Sequence, residues 1–594
     1  MRRNKSSLKG TFQDFKPLKE YFVKGRWHLA AGLLSLVLVD LLQVLIPQVI
    51  KKAIDSLTFK TATSGILFKY GVIIVSIALA IAMFRYIWRY LLFGHARKVE
   101  EGLRNRLYDH LQSLSPSFFQ RTKTGDLMAR ATNDINAVRM ATGLGIFAVT
   151  DSVVLGVTTI VCMLYINPVL TLISLIPAPI LIFLTRMLSR RMSSRYERVQ
   201  KTFADLTEEV REAFAGIRVV KAYSRESWGS KKIEEEGGKY IHENMQLAKT
   251  IAFFFPLMAV FANLGLAIVI WMGGRLTILG HLTTGDFVAF ISYLYLLAWP
   301  LTAIGWVITL IQRGSASMRR INYILEEVPD IIDPPYPRHV TKLAGHIEFK
   351  GLSCKYPGQT GFALKRINLT IESGQTVALV GQVGSAKTTL LNTLPRLFDI
   401  PKGTVFIDGT DVHDIPLKTL RQNIGFVTQE TLLFSDTIRN NILFGRRGIS
   451  ENALEAALRV AQISDEIQTL EKGLDTWLGE KGVTLSGGQR QRLTIARALI
   501  SDPPIMILDD ALSMVDTRTE ARILNRIFEF RKHKTNLIVS HRVPTIKRAD
   551  FIAVLKGGEL VETGQHDALM AMGNEYARLY ERQFLAQELE IGIT

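Results

Sequence analysis

Cysteine is nearly missing from this chain: Cys162 and Cys354 are the only two in 594 residues. That excludes a disulfide-stapled secreted scaffold. One cysteine lies in an apolar segment and the other in a more polar half, so a bridge is not expected and a reducing cytoplasm fits. Acidic residues are outnumbered, 54 against 72 Lys and Arg, for a net charge of +18. No internal repeat and no low-complexity segment is present, which excludes a solenoid or a disordered tail as the organising feature. The first apolar segment is long and no small-residue cleavage site follows it, so a secretory signal is not expected.

Long apolar stretches, by contrast, are plentiful in the first half. Ile251–Gly274 and Phe287–Gln312 carry no charge, and each can cross a bilayer core as a helix. Trp27–Ile50, Ile66–Phe93, Gly143–Ile166 and Pro168–Met187 are apolar segments interrupted by polar residues, giving six spans in all. Lys and Arg crowd the tail before Trp27, Arg97–Arg139 and Arg186–Lys249, as cytoplasmic flanks of membrane spans do. This explains the positive charge better than nucleic-acid binding, so the expected surroundings are a lipid bilayer and no nucleic acid. An even number of spans places both termini and the soluble half in the cytoplasm, and the expected location is the cytoplasmic membrane.

About fifty helix-patterned polar residues separate spans two and three, and about sixty separate four and five, too many for plain loops. The spans are therefore expected to run on into the cytoplasm, with short crossing segments near Ser115–Asp126 and Ala213–Arg225. Asp333-Pro334-Pro335-Tyr336-Pro337 breaks the helical pattern. Beyond it come β-rich runs at Ile347–Phe349, Thr376–Val380, Thr404–Ile407, Ile505–Leu508, Asn536–Val539 and Phe551–Leu555, with helical stretches between. The expected organisation is a tail (1–26), a six-helix all-α transmembrane domain with long cytoplasmic extensions (27–325), a linker (326–345), an α/β P-loop nucleotide-binding domain (346–585) and a short tail (586–594).

The chemistry is concentrated in that second half. Leu485-Ser486-Gly487-Gly488-Gln489 puts a hydroxyl and backbone N–H groups at a helix start, where a phosphate binds. The strand Thr376–Val380 leads into Gly381-Gln382-Val383-Gly384-Ser385-Ala386-Lys387-Thr388-Thr389, a phosphate loop in all but one position. Its amides suit a β-phosphate, Lys387 the β/γ oxygens and Thr388 a Mg²⁺ ion. Ala386 stands where glycine is usual, and its methyl is expected to crowd the phosphate. Asp509 ends a strand and suits Mg²⁺. Asp510 follows in the position of a general base, one methylene shorter than Glu, so it is expected to fall short of the attacking water. Gln429 suits the γ-phosphate and Mg²⁺, His541 the γ-phosphate, and Tyr356 an adenine ring.

These motifs in this order resemble the ATP-binding cassette transporters. Tyr356 stands in the aromatic loop, residues 381–389 in the Walker A motif, Gln429 in the Q-loop and Leu485–Gln489 in the signature. Ile505–Asp509 stands in the Walker B motif, Asp516 in the D-loop and His541 at the switch histidine. Six spans ahead of one cassette look like an exporter half-transporter. Gly479-Glu480-Lys481-Gly482 is similar to an exporter-specific loop, and Thr124–Arg130 with Asn133-Asp134 resembles the first intracellular loop of bacterial multidrug exporters. The resemblance implies ATP and Mg²⁺ as cofactors and a second half-transporter as partner. Ser486, Gly487, Gly488, Gln489 and Asp516 would then serve ATP held between two chains. With an intact signature but departures at Ala386 and Asp510, the chain is expected to be the degenerate-site subunit of a heterodimer exporting drug- or lipid-like amphiphiles. A homodimeric exporter or flippase, and an ATP-gated regulatory subunit, are the alternatives.

Within the spans, Arg85, Arg89 and Asp151 make either a structural Asp–Arg contact or part of a polar cavity, and Asp40 and Gln43 are open in the same way. Tyr293, Tyr295, Trp299 and Trp306, with Phe253–Phe255, either line an aromatic pocket or pack.

Overall fold

The computed structural model describes residues 13–592 apart from 339, 341, 357, 358, 480, 481, 483, 484, 541 and 543–545. The chain divides into two compact units. One takes the chain up to Gln112 together with Thr124–Glu327, and the other Ser113–Lys123 together with the chain from Val328 onward.

The first unit is helical. Among the described residues, six helices are long and apolar enough to cross a membrane: α1 (Arg26–Thr58), α2 (Ser64–Ser113), α3 (Thr124–Ile166), α4 (Pro168–Ala215), α5 (Glu226–Ile278) and α6 (Thr284–Leu325). The sequence marks their ends. Asn167 accepts a hydrogen bond from the Leu170 amide at the start of α4, and Pro168 follows in the first helical position, where its missing N–H costs nothing. Thr283 and Asp286 cap each other reciprocally at the start of α6. Asp286 also meets Lys51 of α1 at 2.5 Å, and the Gly285 amide donates to Asp55 at 2.8 Å. A Cβ at Gly285 would lie 2.4 Å from the Lys51 carbonyl oxygen, so glycine is what lets α1 and α6 meet there. Farther along, Asp134 of α3 is buried and accepts from Ser317 at 2.9 Å and Arg320 at 2.8 Å, tying α3 to α6. Val72, Val75, Leu79 and Met83 of α2 stay exposed, the outward apolar surface a membrane helix carries.

Two short helices, Pro116–Arg121 and Ile217–Ala222, stand where the crossing segments are expected. Pro116–Arg121 groups with the second unit, in which Ser117 donates to Asp330 at 2.6 Å and the Ile331 amide donates to Ser115 at 3.2 Å.

The second unit is α/β. Strands are β1 (Ile347–Cys354), β2 (Leu364–Ile371), β3 (Thr376–Val380), β4 (Val405–Ile407), β5 (Thr410–Asp411), β6 (Ile424–Val427), β7 (Ile505–Asp509), β8 (Thr535–Val539), β9 (Phe551–Lys556) and β10 (Glu559–Gly564). β2-β1-β4-β5 form an antiparallel sheet. β10-β9-β3-β8-β7-β6 form a second sheet, parallel except for the β10 edge. Every residue of β3, β7 and β8 is buried, as central parallel strands covered on both faces require. One apolar core, including Ile347, Leu369, Val377 and Leu390, fills the space between the sheets; another, including Leu454, Leu493, Met506 and Ile523, covers the far side of β7 and β8. β3 and β7 lie on either side of β8, so the segments leaving their carboxyl ends emerge side by side, where α/β sheets hold ligands.

Candidate nucleotide site

The turn from β3 into α7 (Lys387–Thr393) builds the site. Gly381 has φ +156°, and a Cβ there would sit 2.2 Å from the Leu555 carbonyl oxygen. Gly384 has φ +81°. Ala386 has φ +73° and ψ +26°, the left-handed region that favours glycine. The expected cost of its methyl was crowding of phosphate; in the structure Ala386 packs against the apolar core while also lining the cavity, and its backbone conformation carries a cost of its own.

The Lys387 ammonium donates to the carbonyls of Gly381 at 2.7 Å and Gln382 at 2.9 Å, which places it inside the loop. Burial holds its pKa below the ordinary lysine value, against the pull of Asp509 and Asp510. Asp509, buried at the end of β7, is shifted the other way: burial raises its carboxyl above the usual range, while the Thr388 hydroxyl, bonded to it, and Lys387 pull it down. Asp509 and Thr388 therefore form a ready pair of oxygen donors for Mg²⁺. Asp510 takes φ +48°, which Asp tolerates, and its amide donates to Val539 at 3.2 Å.

A cavity of about 500 Å³ opens over these groups. Tyr356, Lys387, Thr388, Thr389, Gln429, Asp509 and Asp510 all line it, as do Gly384 and Ser385, so most of the residues picked from the sequence come together here. Its size suits a nucleotide. Tyr356 donates to or accepts from Thr389 at 2.8 Å and packs on Phe398, which fixes its ring at the cavity wall. Phe362, Gln359 and the Gly557-Gly558 turn also line the cavity and were not picked out from the sequence. Phe362 is half exposed and belongs to no motif, so only its position in space marks it.

The signature residues and Asp516 are not among those lining this cavity. Ser486 starts α8 (Gly487–Leu499) in a reciprocal cap with Gln489, its hydroxyl accepting from the Gln489 amide at 3.2 Å and its amide donating to the Gln489 side chain at 2.8 Å. Cβ atoms at Gly487 and Gly488 would meet Met514 at 2.7 and 3.0 Å, so both glycines seat the loop before α9 (Thr517–Phe530). Asp516 caps α9 by accepting from the Thr519 amide at 2.9 Å, which holds its carboxyl below the usual range. Two residues that the sequence left unremarked brace this loop. Gln491, fully buried, donates to Ser513 at 3.0 Å and accepts from the Met514 amide at 2.9 Å. Arg542 donates to the Val515 carbonyl at 2.9 Å and pairs with Glu520. His541 lies outside the described residues, as do Glu480 and Lys481 of the exporter-type loop.

In the helical unit, Arg85 is near enough for its charge to act on both Asp40 and Asp151, but Asp151 takes its hydrogen bond elsewhere. Asp151 accepts from the Trp299 indole at 2.7 Å, and Arg85 makes no ion pair within 4.0 Å among the described residues. Arg89 lies over the Trp88 ring. Asp40, fully buried, lies next to Asp151. Tyr293 does not belong to an aromatic pocket: it is buried in the helix core and donates to the Val44 carbonyl at 2.9 Å. Phe253, Tyr295, Trp299 and Trp306 are each more than two-fifths exposed, and the side chain of Phe255 lies outside the described residues.

Comparison with known proteins agrees with this architecture. Residues 29–301 match the family model described as ABC transporter transmembrane region, and residues 364–513 match the one described as ABC transporter. The chain is 37% identical, over 97% of its length and 99% of the relative's, to a probable multidrug resistance ABC transporter ATP-binding/permease protein, YheI, of Bacillus subtilis. It is 38% identical to an ATP-dependent lipid A-core flippase of Syntrophus aciditrophicus, over 82% of this chain and 81% of that one. It is 34% identical to the multidrug resistance-like ATP-binding protein MdlA of Escherichia coli, over 97% and 98%. A bacterial Atm1-family ABC exporter solved with ATP bound superposes with a TM-score of 0.77 at 25% identity, covering 94% of this chain and 98% of that one. The chain belongs to the ATP-binding cassette transporter family, as a multi-pass exporter half-transporter.

Proposed function

We propose that this chain exports amphipathic drug- or lipid-like molecules across the cytoplasmic membrane as the slow-site subunit of a heterodimer. Both termini and the nucleotide-binding unit lie in the cytoplasm. Lys387 and the loop amides hold the β- and γ-phosphates of ATP, Thr388 and Asp509 hold Mg²⁺, Gln429 reaches the γ-phosphate, and Tyr356 carries the adenine. His541 serves the γ-phosphate. Bound Mg²⁺ supplies charge neutralisation on the transferred phosphoryl group. Ser486, Gly487, Gly488, Gln489 and Asp516 serve the partner's ATP, and the preference of ATP for the closed pair of cassettes drives the membrane halves between inward- and outward-open states.

The observation that carries the asymmetry is Asp510, a carboxylate one methylene short at the position of the general base, in a site otherwise furnished for ATP. The relatives named for multidrug resistance and lipid A-core flipping support the amphipathic cargo. The test is ATP turnover by the chain purified alone. The expected rate is low, and Asp510→Glu raises it by about 10²-fold, within the range general-base catalysis contributes. Brisk turnover by the unmodified chain alone, unchanged by Asp510→Glu, would instead establish a homodimer, which the intact reciprocal cap of Ser486 and Gln489 also suits.

A further inference from the structure

A second cavity, of about 390 Å³, lies in the helical unit where the short helix Lys19–Lys24 turns into α1 beside α2. Four basic residues, Lys24, His28, His95 and Lys98, line it, and no acidic residue does. Its level is fixed by the apolar runs. Trp27 opens the first and Phe93 closes the second, so His28 sits at the membrane boundary and His95 and Lys98 just past it on the side of the basic flanks.

The walls are built for the purpose of close packing. The His95 ring lies against the Gly25 backbone, where a Cβ would come within 2.4 Å of it, and 5.3 Å from the Phe22 ring. Tyr21 lies equally close to Gly102, at 2.2 Å from a Cβ built there. His95 is only 5% exposed, and its Nε2 meets no hydrogen-bond partner among the described residues, an uncompensated cost for a buried polar atom. Lys98 makes no ion pair within 4.0 Å among the described residues. Lys24 has Glu20 at 2.6 Å, but both are exposed, and such a pair is weak enough to re-partner. Leu91 and the exposed Tyr90 and Trp27 continue from the cavity onto the apolar surface.

We propose that this cavity seats an anionic phospholipid, its phosphate between Lys98, Lys24 and His95 Nε2 and the start of an acyl chain along Tyr90 and Leu91. The chemistry recognised is a phosphate headgroup of net negative charge joined to hydrocarbon. A free phosphate offers the first without the second, and a zwitterionic lipid cancels its charge within the headgroup.

The test is native mass spectrometry of the full-length protein in detergent, titrated with dioctanoyl phosphatidylglycerol, dioctanoyl phosphatidylcholine or inorganic phosphate. Phosphatidylglycerol is expected to bind at lower concentration than phosphatidylcholine. Lys98→Gln, a change at an exposed site, is expected to weaken phosphatidylglycerol about fivefold, the worth of one lysine at an anionic surface. His95→Phe keeps the ring packing, removes Nε2 and weakens it again, and neither variant alters phosphatidylcholine binding. Unchanged phosphatidylglycerol affinity in Lys98→Gln would overturn the site. Inorganic phosphate binding as tightly as phosphatidylglycerol would overturn the lipid as its occupant. The Lys98→Gln arm decides the matter even if His95→Phe fails to fold.

Discussion

Ala386 sits where the chain turns left-handed, a conformation that costs an L-residue with a Cβ roughly 1–2 kcal/mol. Glycine there removes that strain but gives back part of the gain as entropy of the unfolded chain. Ala386→Gly is therefore expected to stabilise the nucleotide-binding unit by about 0.5–1 kcal/mol, while Ala386→Val, β-branched, destabilises it by more than about 1 kcal/mol. Thermal unfolding of the purified protein, with and without ATP, checks both signs. Asp510 illustrates the same geometry without the same penalty, because Asp enters the left-handed region more readily than Ala. The two departures from the usual pattern thus differ in kind: one burdens the backbone, the other shortens the reach of a side chain.

At the scale of elements, Asp516 has one observed job and one proposed job. It caps α9 now, and the family resemblance gives it a role at the partner's ATP. Asp516→Ala is expected to cost about 1 kcal/mol of stability, the usual price of a lost N-cap, whereas Asp516→Ser keeps the cap. If the second job is also real, Asp516→Ser lowers ATP turnover of the assembled dimer with no fall in melting temperature, and unfolding curves run beside turnover assays separate the two. Because the folded carboxyl is held below its ordinary value of 3.8, the cap is at full strength above that pH and is lost only as pH falls through the depressed value. What could be read from sequence was set by contiguity. The phosphate loop, the Asp509 strand and the signature were legible because each is a contiguous strand-turn or turn-helix unit whose residue types dictate its geometry. β2 and β10 went unread: polar residues break up both and β10 has no fully buried residue, so neither shows the apolar run that marked β3 and β7. The Asp151–Trp299 bond and the Arg542–Glu520 pair join residues far apart in the chain, and no local pattern signals them. Tyr293 and Trp299 are one and two-thirds turns apart on α6, and which one turns inward depends on the neighbouring helices.

For the whole molecule, the near-absence of cysteine makes topology measurable. Cys354 is 4% exposed and burial pushes its thiol up to about 11, so it should label poorly. Cys162 is half-buried in α3. Against that quiet background, Thr61→Cys, between α1 and α2, is expected to react with a membrane-impermeant maleimide in right-side-out vesicles. Tyr223→Cys, at an exposed site beyond α4, is expected to react in inside-out vesicles instead. Labelling of both from the same side would contradict the six-span orientation.

α2 runs unbroken for 50 residues, about 75 Å at 1.5 Å per residue, although a bilayer core needs only about 20 of them. A rod of that length behaves as a lever. Pivoted at its midpoint, a tilt of five degrees carries each tip sideways by about 3 Å, roughly the length of a hydrogen bond. Slight rocking within the lipid is thereby enough to make or break polar contacts at the far end of the shaft.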